Sequence, residues 1–310
     1  MAKNLISVQS GDWYDDNDHA PSMKRLRSLG FEAIDYNIDH VISPNDYLKG
    51  KSDAPLAKLT REELIEHYRP MKEAAEENGI AFSQMHAPFP LYYPDNEEYN
   101  EFLFGVVENI IAVCGFVGCP ALVVHPYVSP TGDKEKEFSV NFDIYRRLIP
   151  TALKYNVKIC LENIPRWLPG GHIINGCCTD PDEACYYIDT LNELAGAEVF
   201  GFCFDVGHAN VTARDIRGDI KVLGKRITIL HIHDNDTTAD QHLIPYTVLR
   251  GGKLALDWEA FIAGLREIGY EGTLSFETFN ATRQFPAPVV DDALRLICSI
   301  GRYFRSRLEA

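Results

Sequence analysis

The sequence predicts one closed barrel of eight parallel strands, each followed by a helix, and three observations carry that prediction. Eight short apolar runs alternate with eight segments of helical character along the 310 residues. Parallel neighbours need a crossover connection, and unbroken alternation of strand and helix supplies one each time. Most of the runs carry a charge or an imidazole only at the C-terminal tip, the side where such a barrel gathers its ligands. The competing architecture, an open doubly wound sheet, would place Gly-x-Gly-x-x-Gly after the first strand. Ser10-Gly11-Asp12 does not match it.

Ile6-Ser7-Val8 is the first strand, and Pro21 to Gly30 reads as a helix closed by glycine. Phe31 to Tyr36 is the second strand. Thr60-Arg61-Glu62-Glu63 is a capping box opening a helix that runs through Met71 to Asn78-Gly79. Phe82 to His86 follows as strand three. Asn96 to Phe116 is a long helical pattern, stopped by Gly118-Cys119-Pro120 before the run Ala121 to His125. Phe138 to Tyr155 precedes the strand Val157 to Glu162, and Asp180 to Leu194 precedes Phe200 to Asp205. Ala213 to Gly224 is a short helix before Ile227 to His231. Asp257-Trp258-Glu259 opens the helix to Gly269, Gly272 to Glu277 is the eighth strand, and Val289 to Arg307 is the final helix. The whole chain, 1–310, is expected to form one domain. Two loops exceed what closure needs, Ile164 to Thr179 and Asp234 to Gly252, and long C-terminal loops are where a barrel holds its specificity.

Composition excludes some functions. The net charge is -15, from 45 acidic against 30 basic residues. A protein that tracks a phosphate backbone gathers positive charge to release counterions, so nucleic acid is not the expected partner. The eight cysteines form no pair of CxxC motifs. No signal core opens the chain, and no run approaches the ~20 apolar residues of a membrane span. A cytoplasmic protein without membrane contact is therefore expected.

Glu162, Asp205, His231 and Glu277 stand at the tips of strands five to eight. Four consecutive tips of ligand type make a hard, oxygen-rich metal site. Such a set suits one divalent ion: Mn²⁺ best, with Mg²⁺, Co²⁺ or Zn²⁺ as alternatives. Strand residues two apart share a face, so His231 and His233 both look inward. His231 closes the apolar run and is taken as the ligand, leaving His233 as a mouth residue near substrate. His208 lies one turn beyond Asp205. His86 and His125 end strands three and four, and Asp240-Gln241-His242 offers an alternating pair in the seventh loop. His86, His125, His208, Asp240 and His242 are open to a further role as ligands of additional metals. Trp13, Phe89, Tyr92, Tyr127 and Trp167 follow strand ends and are candidates for a pocket wall. His19, His40, His67 and His172 have no comparable setting.

The phrases His86-Ala87-Pro88, His125-Pro126, Leu161-Glu162-Asn163, Phe204-Asp205-Val206-Gly207-His208, His231-Ile232-His233-Asp234-Asn235-Asp236 and Phe276-Glu277 resemble those of the sugar phosphate isomerase/epimerase family. That resemblance spans essentially the whole chain. It implies a xylose isomerase-like TIM barrel and a sugar, or sugar derivative, isomerised or epimerised through a metal-stabilised enediolate. Glu162, Asp205, His231 and Glu277 match the ligands of one divalent metal in the ketose 3-epimerases. Glu162 and Glu277 match their acid and base, and His208 matches a substrate-contacting histidine. His86, His125, Trp167, His233 and His242 are then expected on the substrate side. The pattern departs at two places: Leu168 stands where those epimerases carry a second glutamate, and Thr237-Thr238-Ala239 where they carry an arginine. Two relatives imply other activities. The α subunits of C-glycoside deglycosidases are lyases on 3-keto C-glycosides and pair with a small β-rich subunit. Apurinic endonucleases of the endonuclease IV type use nine ligands for three zinc ions. A homo-oligomer is expected for the isomerase.

Overall fold

Strand pairing joins the sheet into a ring. In a computed structural model describing residues 3–49 and 53–310, the strands are β1 (Ile6–Gln9), β2 (Ala33–Tyr36), β3 (Ala81–His86) and β4 (Ala121–Val123). They continue as β5 (Lys158–Glu162), β6 (Phe200–Asp205), β7 (Ile227–His231) and β8 (Leu274–Phe276). From β1 to β7 each pairs in parallel with the next, and β8 pairs in parallel with β1. The last gap, between β7 and β8, is bridged just past the tip of β7. Ile232 N donates to Ser275 O at 2.9 Å and Glu277 N to Ile232 O at 3.1 Å. The barrel expected from the strand–helix alternation is the observed fold.

The pleat explains the layering. Ala121, Val123, Cys160, Cys203 and Ile229 form their own small apolar cluster inside the barrel. Two residues further along the same strands stand His125, Glu162, Asp205 and His231, which therefore share that inward face. The intervening residues, among them Leu122, Ile159, Phe202, Phe204 and Leu230, belong to the larger core between strands and helices. All eight cysteines are free thiols, and only Cys185 is not fully buried.

The outer helices are α1 (His19–Leu29), α2 (Arg69–Asn78), α3 (Glu97–Val117), α4 (Lys134–Tyr155), α5 (Pro181–Ala195), α6 (Ile216–Leu223), α7 (Trp258–Glu267) and α8 (Ala287–Leu308). Gly30 ends α1 in the left-handed region at φ 96°, where a side chain would be strained. The expected helix from Thr60 to Asn78 is two helices. Arg61–His67, with the Thr60–Glu63 capping box in place, breaks at Tyr68, and Pro70 opens α2. A six-residue helix, Val206–Val211, starts at the tip of β6 and escaped the sequence reading because it is too short to show a period. Both long loops fold back as two-stranded hairpins, Arg166–Trp167 with Ile173–Ile174 and Leu249–Arg250 with Lys253–Leu254. The expectation that no segment reaches the length of a membrane span needs correcting. By length and composition α3 is apolar enough for one, and half of its apolar stretch is buried in the fold.

Candidate active site

Each tip is held by its neighbours before any ligand enters. Asn163, directly after Glu162, donates through Nδ2 to Asp205 O at 2.8 Å and accepts Asp205 N at 2.8 Å, clamping the tip of β5 to that of β6. Asp205 also caps the short helix after it, its Oδ1 accepting His208 N at 2.6 Å. That cap turns His208 back over the barrel. Asp234 and Leu243 exchange backbone hydrogen bonds, which returns Asp240 and His242 to the mouth.

Three carboxylates converge around one imidazole nitrogen. His231 Nδ1 lies 3.3 Å from Glu162 Oε1, 3.7 Å from Asp205 Oδ2 and 3.3 Å from Glu277 Oε2. That nitrogen is buried and has no hydrogen-bond partner. Ligands on bonds of about 2.1 Å in a four-coordinate site stand roughly 3.4 Å apart, so these spacings fit a shared cation. The other oxygens of the two glutamates face away from this point. Glu162 Oε2 lies 2.9 Å from His125 Nε2, and Glu277 Oε1 accepts Gln9 Nε2 at 2.6 Å.

A second cluster adjoins the first. His208 Nε2 is 3.2 Å from Asp240 Oδ2 and its Nδ1 is 3.1 Å from Glu162 Oε1. Asp240 Oδ1 lies 3.4 Å from His242 Nδ1, and His242 Nε2 lies 3.3 Å from Glu277 Oε2. The ring of His242 stacks on His233 at 4.0 Å. His233 itself is fully buried, with Nε2 3.0 Å from Asp205 Oδ2, behind the cavity rather than at its mouth. The strand alternation turned it inward, and Gly207, packed against its ring, leaves it room beneath the short helix.

The carboxylates and imidazoles of this cluster hold one another in the charged form. Burial pushes the Glu162 carboxyl up, but His231 and His125 outweigh it and hold it well below the carboxylate range. Burial is likewise outweighed at Glu277, by His231 and His242, and at Asp240, by His208. Burial disfavours charge on His231, yet its pKa is raised well above normal. Cys203 faces it, but that thiol is itself pushed up by burial and neutral, so Glu277 and Glu162 supply the field. His208 is raised by Asp205 and Asp240 against its own burial. His233 rises to about 9, burial being outweighed by Asp205.

The cavity over these groups measures about 310 Å³. His86, His125, Glu162, Trp167, His208, Asp240, His242 and Glu277 line it, while Asp205 and His231 lie just behind the lining. Phe89 and Trp167 form part of its wall, whereas Trp13 packs edge to face on Tyr14 instead. Sequence reasoning missed several neighbours. His40, set aside for lack of a motif, lines the cavity with Asn37 and Asp39. Asp35 is wholly buried with Oδ1 3.4 Å from His86 Nδ1, and its Oδ2 accepts Gln84 Nε2 at 3.1 Å. His86 Nε2 in turn meets His231 Nε2 at 2.9 Å. Burial and the facing His231 lower His86 to about 3, so it is neutral and accepts from His231. Only the polar parity of Asp35 inside an apolar strand hinted at this chain.

Comparison with known proteins agrees with the fold. An uncharacterised protein of Methanocaldococcus jannaschii is 27% identical over 209 residues, covering 63% of this chain and 64% of its own length, so the chain spans just under two thirds of that relative. An inosose isomerase of Bacillus velezensis is 26% identical over 236 residues, 76% of this chain and 75% of that protein. Among solved structures, a D-tagatose 3-epimerase-like protein superposes with a TM-score of 0.67 at 21% identity, covering 96% of this chain and 98% of that one. The 3-keto-D-glucoside 4-epimerase of E. coli gives a TM-score of 0.66 at 17% identity, covering 96% and 100%. Residues 23–300 match the family model described as a xylose isomerase-like TIM barrel, and the chain belongs to that family.

Proposed function

We propose that the chain is a divalent-metal-dependent isomerase or epimerase of a sugar or sugar derivative, transferring a proton at a carbon next to a carbonyl. The observation that supports this most is the partnerless His231 Nδ1 surrounded by three carboxylate oxygens at 3.3–3.7 Å. Glu162, Asp205, His231 and Glu277 would hold the ion, and three carboxylates with one imidazole favour Mn²⁺, with Mg²⁺, Co²⁺ or Zn²⁺ as alternatives. When bound, such an ion polarises the carbonyl and offsets the charge that grows on its oxygen.

The chain's own groups do the rest. Glu162, through Oε2 beside His125, and the Glu277 carboxylate, beside His242, are the groups that take and return the proton. The surrounding imidazoles keep both carboxylates ionised, the state a proton acceptor must be in. His208, charged between Asp205 and Asp240, lines the cavity on the substrate side. His233 aims Asp205, and neutral His86, accepting from His231 Nε2, leaves His231 Nδ1 to face the carboxylates. Phe89 and Trp167 limit water at the mouth. The test is exchange in D₂O. Metal-stripped protein reloaded with Mn²⁺ is offered D-tagatose, D-psicose, D-fructose and an inosose, and deuterium entering next to the carbonyl is read by NMR. No exchange with any of them, with or without metal, would refute the proposal.

The His208–Asp240–His242 cluster supports a second reading, a three-zinc phosphodiesterase of the apurinic endonuclease type. The net charge of -15 weighs against it. Three zinc ions per chain and incision of an abasic oligonucleotide would favour it over the sugar chemistry.

A further inference from the structure

Beside the cavity runs a depression that the proposed proton transfer leaves unused. It measures about 300 Å³, the small end of the range for small-molecule pockets, roughly 300–1,000 Å³. Its walls are the loops after β3, β4 and β5, with Tyr92 and Tyr127 meeting edge to face at 5.0 Å. Phe89, Ile164 and Trp167 line both spaces, so the groove is continuous with the site above the metal cluster. Phe89 is 43% exposed and Trp167 48%, two large rings left open at the junction. Walls of this kind take a flat apolar group against ring faces and edges.

One feature of the lining is not apolar. Arg166 is the charged residue among the described residues of this groove. Its Nε is buried without a hydrogen-bond partner. The guanidinium rests on Gly132, where even a Cβ would collide with it. A planar guanidinium whose Nε has no acceptor matches a carboxylate through two parallel hydrogen bonds.

We propose that this groove seats an aromatic substituent carried by the substrate, and that a carboxylate on that substituent pairs with Arg166. The proposal rests on the reading that the adjoining cavity handles the sugar, and it names the class of substrate: a sugar derivative bearing an acidic aryl group. Continuity with the cavity puts the two parts of one molecule within reach of each other.

The experiment uses the aryl fragment alone. Benzoate and its neutral analogue benzamide are titrated calorimetrically into full-length, metal-stripped protein. Benzoate is expected to bind in the millimolar range, about fivefold tighter than benzamide. Arg166→Gln should erase that difference, Arg166→Lys should keep part of it, and Tyr127→Ala should weaken both ligands. Equal binding of the two, binding of neither, or benzoate affinity untouched by Arg166→Gln overturns the proposal. The titration needs neither metal nor turnover. Its failure therefore leaves the sugar chemistry standing, and absence of isotope exchange leaves the groove's preference standing.

Discussion

Replacing Glu277 by glutamine alters a single heavy atom of the cluster while keeping the side chain's shape. Glu277 Oε1 accepts from Gln9 Nε2 at 2.6 Å, so the amide carbonyl is retained there and the new NH₂ group takes the place of Oε2. That is the atom 3.3 Å from both His231 Nδ1 and His242 Nε2. A donor then faces the spot where a cation needs a lone pair. Gln9 Oε1 has no partner, so both amides can flip together and turn a neutral carbonyl to His231. In either arrangement the negative charge and the basic oxygen are gone. Partners one layer outside the ligands already cost 10–100-fold in metal affinity, so loss of a charged ligand should weaken Mn²⁺ binding by at least about 100-fold. Loss of the proton acceptor should lower exchange at saturating metal by about 10²–10⁴-fold. Calorimetric titration with Mn²⁺ and deuterium exchange into the active ketose read the two effects separately, and far-UV circular dichroism checks the fold. A variant that keeps wild-type metal affinity and exchanges within threefold of wild type refutes both the ligand and the acid/base assignment.

Other expectations follow from the same geometry. Gly207→Ala drives a methyl into the His233 ring, which is confined by Asp205 and the stacked His242. It should cost about 1–3 kcal/mol in urea unfolding and weaken metal binding, and wild-type values for both would show that His233 does not position Asp205. The pKa of His233 is raised to about 9 from 6.5, so in metal-free protein its stabilisation is complete below pH 6.5 and is lost as pH rises through 9. Urea unfolding with EDTA present should show a loss of about 3 kcal/mol across that window. His233→Gln should show a flatter profile, and an equally steep one contradicts the assignment. Mn²⁺ at a hundredfold excess over its Kd should stabilise the folded chain by about 2.7 kcal/mol. A melting temperature indifferent to Mn²⁺, Mg²⁺, Co²⁺ and Zn²⁺ alike counts against the cluster as a metal site.

The order of the strands and the polar tips of β5 to β8 were legible because both are local. A strand buried on both faces is written as a continuous apolar run, and a polar residue closing it marks where the barrel opens. Asp35 gave no such signal. It sits inside Ala33–Tyr36, and its importance comes from His86, which lies on another strand. His40 was invisible for a similar reason, since it follows β2 in a short helix that a run of five residues does not announce. His86 and His125 were recognised as strand ends, but their partners were not. His86 meets His231 across the barrel mouth, and His125 meets Glu162 on the neighbouring strand.

The chain itself therefore determined which residues face the axis, because a period of two is imposed by the backbone within each strand. It did not determine how far apart the tips stand. That depends on the stagger and tilt at which eight strands join, a property of the closed ring that no single segment encodes. The contrast is clearest at His231 and His233. Both obey the same alternation, yet closure sets His231 Nδ1 among three carboxylate oxygens and leaves His233 beneath Asp205, holding one of those carboxylates from behind.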